Sequence, residues 1–152
     1  MKYEIVELGK KTVVGVTART KNSDENMSAA IGALWTELYQ TSLYSDISNK
    51  LNDKSLGIYS DYESDVNSEY SVTVGCEVEK AENIPEQAVI KIIPKGKYAK
   101  FTICGPMETV VSDFWKEFWE MDLDRNYLCD FEEYQNADME NTEVHIYISV
   151  NG

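Results

Sequence analysis

Ala33-Leu34-Trp35-Thr36-Glu37-Leu38-Tyr39 and Asp113-Phe114-Trp115-Lys116-Glu117-Phe118-Trp119 align without a gap. Around the first, Ile31, Leu34, Trp35, Leu38 and Tyr39 recur at three- and four-residue intervals, and around the second so do Val110, Val111, Phe114, Trp115, Phe118 and Met121. That is the period of one helical face, so each stretch predicts an amphipathic helix. Asp24 or Ser23 suits the start of the first helix, and Gly105-Pro106 with Glu108 suits the start of the second.

Strand patterns flank both helices in the same order. Lys2–Leu8 and Thr12–Arg19 read as a hairpin about Gly9-Lys10-Lys11, and Ser55–Tyr62 and Glu69–Val78 alternate after the first helix. Ala88–Ile93 and Tyr98–Cys104, around Pro94-Lys95-Gly96, precede the second helix, and Asn126–Tyr134 and Glu143–Val150 follow it. The order strand-strand-helix-strand-strand therefore occurs twice, with Ile58-Tyr59 matched to Phe131-Glu132 and strand 70–78 matched to 143–150. The expected fold is α+β: duplicated units related by pseudo-twofold symmetry, antiparallel sheets with two helices on one side and a ligand cleft on the other. One domain over 1–152 is expected, with repeat halves of about 1–80 and 87–152.

Composition narrows the function. The 152 residues are 43% apolar and 11% aromatic, enough for a hydrophobic core. Twenty-seven acidic against fourteen basic side chains leave a formal charge of −13, which repels phosphate backbones and argues against direct DNA binding. No signal peptide or long apolar run occurs, so a cytoplasmic protein without membrane partners is expected. Cys76, Cys104 and Cys129 lie far apart, and His145 is the one histidine, so neither a metal site nor a cofactor is expected. No GxSxG elbow, phosphate loop or zinc spacing is present.

Strand alternation then selects candidates. With Ile58 and Phe131 turned toward the helices, Tyr59, Glu132 and Tyr134 point into the cleft. With Val144, Ile146, Ile148 and Val150 in the core, Tyr147 points into it too. Trp35, Tyr39, Trp115 and Trp119 are available from the helix edges. Aromatic walls around one carboxylate suit a flat cation, because ring faces attract positive charge and a poorly solvated carboxylate is costly until a cation compensates it.

The duplicated unit, Leu34-Trp35, Trp119, Phe131-Glu132-Glu133-Tyr134 and the terminal Glu143-Val144-His145-Ile146-Tyr147-Ile148 resemble the gyrase-inhibitor-like small-molecule-binding family, which includes the effector-binding domains of AraC- and MerR-type activators. The resemblance covers essentially the whole chain. It implies that Glu132 contacts a cationic ligand. No helix-turn-helix segment precedes Lys2, so the chain resembles the stand-alone members. Ser149 stands where relatives often carry proline.

The leading expectation is a binding module for small aromatic, cationic or amphipathic molecules. Its ligand-binding residues would be Glu132, Trp35, Tyr39, Tyr59, Trp115, Trp119, Tyr134 and Tyr147, and it would sense or sequester, with a regulatory protein as a further partner. The resemblance also implies two alternatives. One is a hydrolase of strained cyclopropane-containing genotoxins, with Glu132 as general base and Tyr147 as the assisting hydroxyl. The other is a gyrase-inhibitor-type module that binds protein. The sequence leaves the natural ligand and the oligomeric state open.

Overall fold

The computed structural model describes the chain apart from residues 1–2, 21–26, 41–42, 48–49, 52–54, 61–69, 81–83, 86–87, 107–108, 119, 122–128, 136–139 and 152, and apart from the side chains of 27–30, 39–40 and 43–44. Trp119, the Tyr39 side chain, the proposed helix-starting residues Ser23 and Asp24, and the expected loop over 63–68 therefore lie outside the described residues.

Among the described residues, eight strands and three helices follow in the order β1 (Glu4–Leu8), β2 (Lys11–Thr20), α1 (Met27–Gln40), α2 (Leu43–Asp46), β3 (Ser55–Ser60), β4 (Tyr70–Val78), β5 (Val89–Ile93), β6 (Gly96–Gly105), α3 (Val110–Phe118), β7 (Cys129–Tyr134) and β8 (Thr142–Ser149). The strands form one antiparallel sheet with the order β1-β6-β8-β7-β3-β4-β2-β5. Exchanging β1–β4 for β5–β8 and the reverse turns this order into itself read backwards. The sheet is thus pseudo-twofold, with the axis between β3 and β7 at its centre.

The expected pairing of β1 with β2 does not occur. β1 pairs with β6, and β2 pairs with β4 and β5, although only Gly9 and Lys10 separate β1 from β2. β5 and β6, separated only by Pro94 and Lys95, likewise stand at the eighth and second positions. Each half thus lends its first strand to the edge of the other. Two-residue links between such distant positions require the sheet to curl until its ends approach.

The buried clusters record that curl. Val6 and Leu8 from one edge strand and Ile93 from the other pack in one cluster with Val13, Leu56, Ile58, Tyr98, Cys129, Phe131 and Tyr147, on the sheet face that bears neither α1 nor α3. On the opposite face α1 sets Leu34 and Leu38 against Val14, Val16, Val72, Val74 and Cys76, and α3 sets Phe114 and Phe118 against Ala99, Phe101, Val144, Ile146 and Ile148. The tryptophan following Leu34 and Phe114 in each helix packs at the edge of its own cluster.

These contacts correct the strand faces. Ile58 and Phe131 point away from the helices, not toward them. The reason is register, which hydrophobic alternation cannot supply: Glu132 lies beside Ile146 and Tyr134 beside Val144, so both share the helix-bearing face. Tyr147 lies beside Phe131 on the other face and stacks on its ring at 4.6 Å and 13°.

α1 rides over β2 and β4, and α3 over β6 and β8, which leaves β3 and β7 as the floor between them. Four strand spacings of about 4.8 Å set the two helices roughly 19 Å apart along the sheet, about twice the separation of directly packed helices. A groove between the helices follows.

Candidate functional site

The floor of this groove carries a carboxylate. Glu132, at the centre of β7, is 2% exposed. Oε2 accepts hydrogen bonds from the Tyr59 hydroxyl and the Trp115 indole Nε1, both at 2.9 Å, and Oε1 accepts from the Tyr134 hydroxyl at 2.8 Å. β3 supplies Tyr59, α3 supplies Trp115, and β7 itself supplies Tyr134 two residues on. All three donors are neutral. Among the described residues no cation contacts Glu132.

Such a carboxylate is under opposing influences. Burial raises its pKa above the ordinary 4.5, while the bonds from Trp115, Tyr134 and Tyr59 pull it down, and burial prevails. The same burial, reinforced by the charge of Glu132, holds the Tyr59 and Tyr134 hydroxyls well above their usual 10.0 and pushes Tyr70 up to about 12. These phenols stay protonated donors throughout the range in which proteins work.

Aromatic rings close around the carboxylate in two matching sets. Trp35 meets Tyr134 edge-on at 5.4 Å and 85°, and Trp115 meets Tyr59 at 5.6 Å and 78°. Register explains the match. The helix-facing residues Val72 and Val74 of β4 correspond to Val144 and Ile146 of β8, and beside them lie Tyr59 and Gly57 in one half and Tyr134 and Glu132 in the other. Tyr59 is therefore the counterpart of Tyr134, and Gly57 of Glu132. This shifts the expected match of Tyr59 with Glu132 by two residues while preserving the face. Gly57 and Glu132 also pair directly across β3 and β7, so the axis passes between them.

Of the eight ligand-site residues expected, Trp35, Tyr59, Trp115, Glu132 and Tyr134 are brought together. Tyr147 stands on the other side of the sheet. Its distance from Glu132 has a simple cause: it pairs with Phe131, and neighbours in a strand point to opposite faces. Two further participants have no signal in strand alternation. Tyr70 packs on Tyr59 at 6.0 Å. A Cβ on Gly57 would stand 3.3 Å from Glu132 Oε1 and 3.5 Å from Trp35 Cζ2. A glycine inside a strand is the available signal for such a close approach. Among the described residues no three His, Cys, Asp or Glu side chains are grouped to hold a metal ion, and no helix is long and apolar enough to cross a membrane.

Residues 4–150 match the Cass2 family of integron-associated effector-binding proteins. The chain belongs to that family. Its Cass2 kinship agrees with the gyrase-inhibitor-like resemblance in Phe131-Glu132-Glu133-Tyr134. It is similar to an integron cassette protein from the mobile metagenome of Vibrio cholerae, at 32% identity and a TM-score of 0.81 over 98% of this chain and 95% of that one. YobU of Bacillus subtilis strain 168, named provisionally as a transcriptional regulator, is 34% identical over 96% of each chain. The fold is shared with SAV2435, solved bound to tetraphenylphosphonium, at 19% identity and a TM-score of 0.76 over 98% of this Cass2-family chain and 94% of that one.

Proposed function

We propose that this protein captures lipophilic aromatic cations in the groove between α1 and α3, with Glu132 as the countercharge, and acts as a cytoplasmic sensor or sequestering protein for them. The observation that carries this reading is a carboxylate, 2% exposed, whose described partners are all neutral. Burying an anion without a positive partner is costly, and an arriving cation recovers that cost. Trp35 and Trp115 supply ring surface beside it, each cation–ring contact adding roughly 0.5–2 kcal/mol. In this reading the three donors fix the position of the carboxylate, which acts as a countercharge, so no bond-making step is required of it.

Tetraphenylphosphonium, the ligand in the SAV2435 structure, is a suitable probe. Glu132→Gln keeps the side-chain shape and deletes the charge. Its affinity for tetraphenylphosphonium is expected to fall roughly ten- to hundred-fold, as read by calorimetric titration. An affinity unchanged from wild type in a folded variant would leave Glu132 a structural carboxylate and sink the proposal.

A further inference from the structure

The groove has two like walls and one charge. Trp35 and Tyr134 on one side repeat as Trp115 and Tyr59 on the other. The axis relating them passes between Gly57 and Glu132, so the position that would carry a second carboxylate carries a hydrogen atom instead. A second charge is therefore absent by construction, whereas the ring surface is doubled. Both tryptophans reach the axis: Trp115 Nε1 lies 2.9 Å from Glu132 Oε2, and Trp35 Cζ2 would lie 3.5 Å from a Gly57 Cβ.

We infer that the site selects monocations bearing an aromatic group on either side of the charge, one arm against Trp35 and the other against Trp115, with Glu132 as the single countercharge between them. This rests on the cation-capture reading and names the ligand class within it. A ligand with a single aromatic arm fits in two near-equivalent orientations and uses one wall at a time. A dication finds one countercharge and leaves its other charge uncompensated. A methyl group at Gly57 would press on Glu132 Oε1 at 3.3 Å and touch Trp35 Cζ2 at 3.5 Å, disturbing the countercharge and one wall together.

The test compares dibenzyldimethylammonium, with two arms, and benzyltrimethylammonium, with one, by NMR titration of the full chain. In Trp35→Leu and in Trp115→Leu the two-armed ion is expected to lose roughly three- to thirty-fold in affinity, the equivalent of one ring contact. The one-armed ion should lose at most about twofold in either, because the second orientation survives. Trp115→Phe keeps a ring but loses the bond to Glu132, and is expected to retain most of the two-armed affinity. Gly57→Ala should weaken both ions on the order of tenfold.

Indifference of the two-armed ion to Trp35→Leu, or abolition of one-armed binding by a single tryptophan change, would overturn the two-armed class. The capture reading would stand if Glu132→Gln still weakened binding. Wild-type affinity in Glu132→Gln, or no binding of any of these cations to the native protein, overturns both. Thermal melts of each variant separate loss of binding from loss of fold.

Discussion

Gly57 and Glu132 face each other across the central strand pair, and each occupies in its own half the place the other occupies in the opposite half. An otherwise repeated site is thereby made asymmetric at one position, with a carboxylate on one side and no side chain on the other.

The first prediction concerns pH. Because burial raises the pKa of Glu132 in the folded state, the unfolded chain releases this proton first as pH rises. Between the ordinary 4.5 and the higher folded value the native state binds more protons, so this group's contribution to stability falls as pH increases and then levels off. Glu132→Gln removes that slope. Urea titrations are expected to show the variant equal to or more stable than wild type at pH 7, with the difference shrinking toward pH 4. A wild type more stable than the variant at pH 7 would mean that the three hydrogen bonds outweigh burial.

Cation affinity should move with pH in the opposite direction. Deprotonation of Glu132 creates the countercharge, so tetraphenylphosphonium is expected to bind more tightly as pH rises through the folded pKa and to show no such rise in Glu132→Gln. Parallel pH profiles in the two proteins would refute this.

Tyr59→Phe and Tyr134→Phe each delete one donor to the carboxylate, on opposite oxygens. Each should destabilise the protein by about 1.5–3 kcal/mol at pH 7, the range for hydrogen bonds to charged groups. Repeated in Glu132→Gln, each change should cost only about 0.5–1.5 kcal/mol. Chemical denaturation of the double-mutant cycles measures the difference, and additive costs would deny the coupling.

Gly15 and Gly75 pair across β2 and β4, and a Cβ on either would fall 2.0 Å or 2.2 Å from a backbone oxygen of the facing strand. Backbone must shift to admit it. Alanine at either position is expected to cost about 3 kcal/mol or more, seen as a lowered urea midpoint. A midpoint within error of wild type would show that the strands separate there freely.

Tyr147 stacks on Phe131 away from the groove. Tyr147→Leu should therefore lose about 1 kcal/mol of stability while leaving tetraphenylphosphonium affinity within about twofold. A large loss of affinity at unchanged stability would put Tyr147 back among the ligand contacts.

Periodicity alone located the two long helices and the eight strands, because each strand segment alternates and each helix repeats at three and four. Trp35 and Trp115 were recognisable as a pair for the same reason. The strand partners were not legible: β1 and β2 read as a hairpin because two residues link them, and local pattern carries no record of β6 lying beside β1. The side of the sheet bearing the site was lost with the register, since the placement of Glu132 beside Ile146 rests on a contact between strands. Glu132 itself is legible through the family resemblance of its strand and its neighbourhood of tyrosines. The role of Gly57 is not legible, because a missing side chain matters only once its opposite number is known.

The exchange of β1 and β5 between halves has a kinetic consequence. Glu4 finds its partner at Lys100, and Ser55 at Tyr134, so the pairings that close the sheet join residues far apart in the chain and carry a heavy loop-closure cost. Neither half offers a finished edge on which the other can wait. The groove floor, built from β3 of one half and β7 of the other, comes into being only when that long-range assembly is complete. A cation held there is bound by the whole chain or by none of it, so occupancy should slow global unfolding and raise the melting temperature in step with ligand concentration.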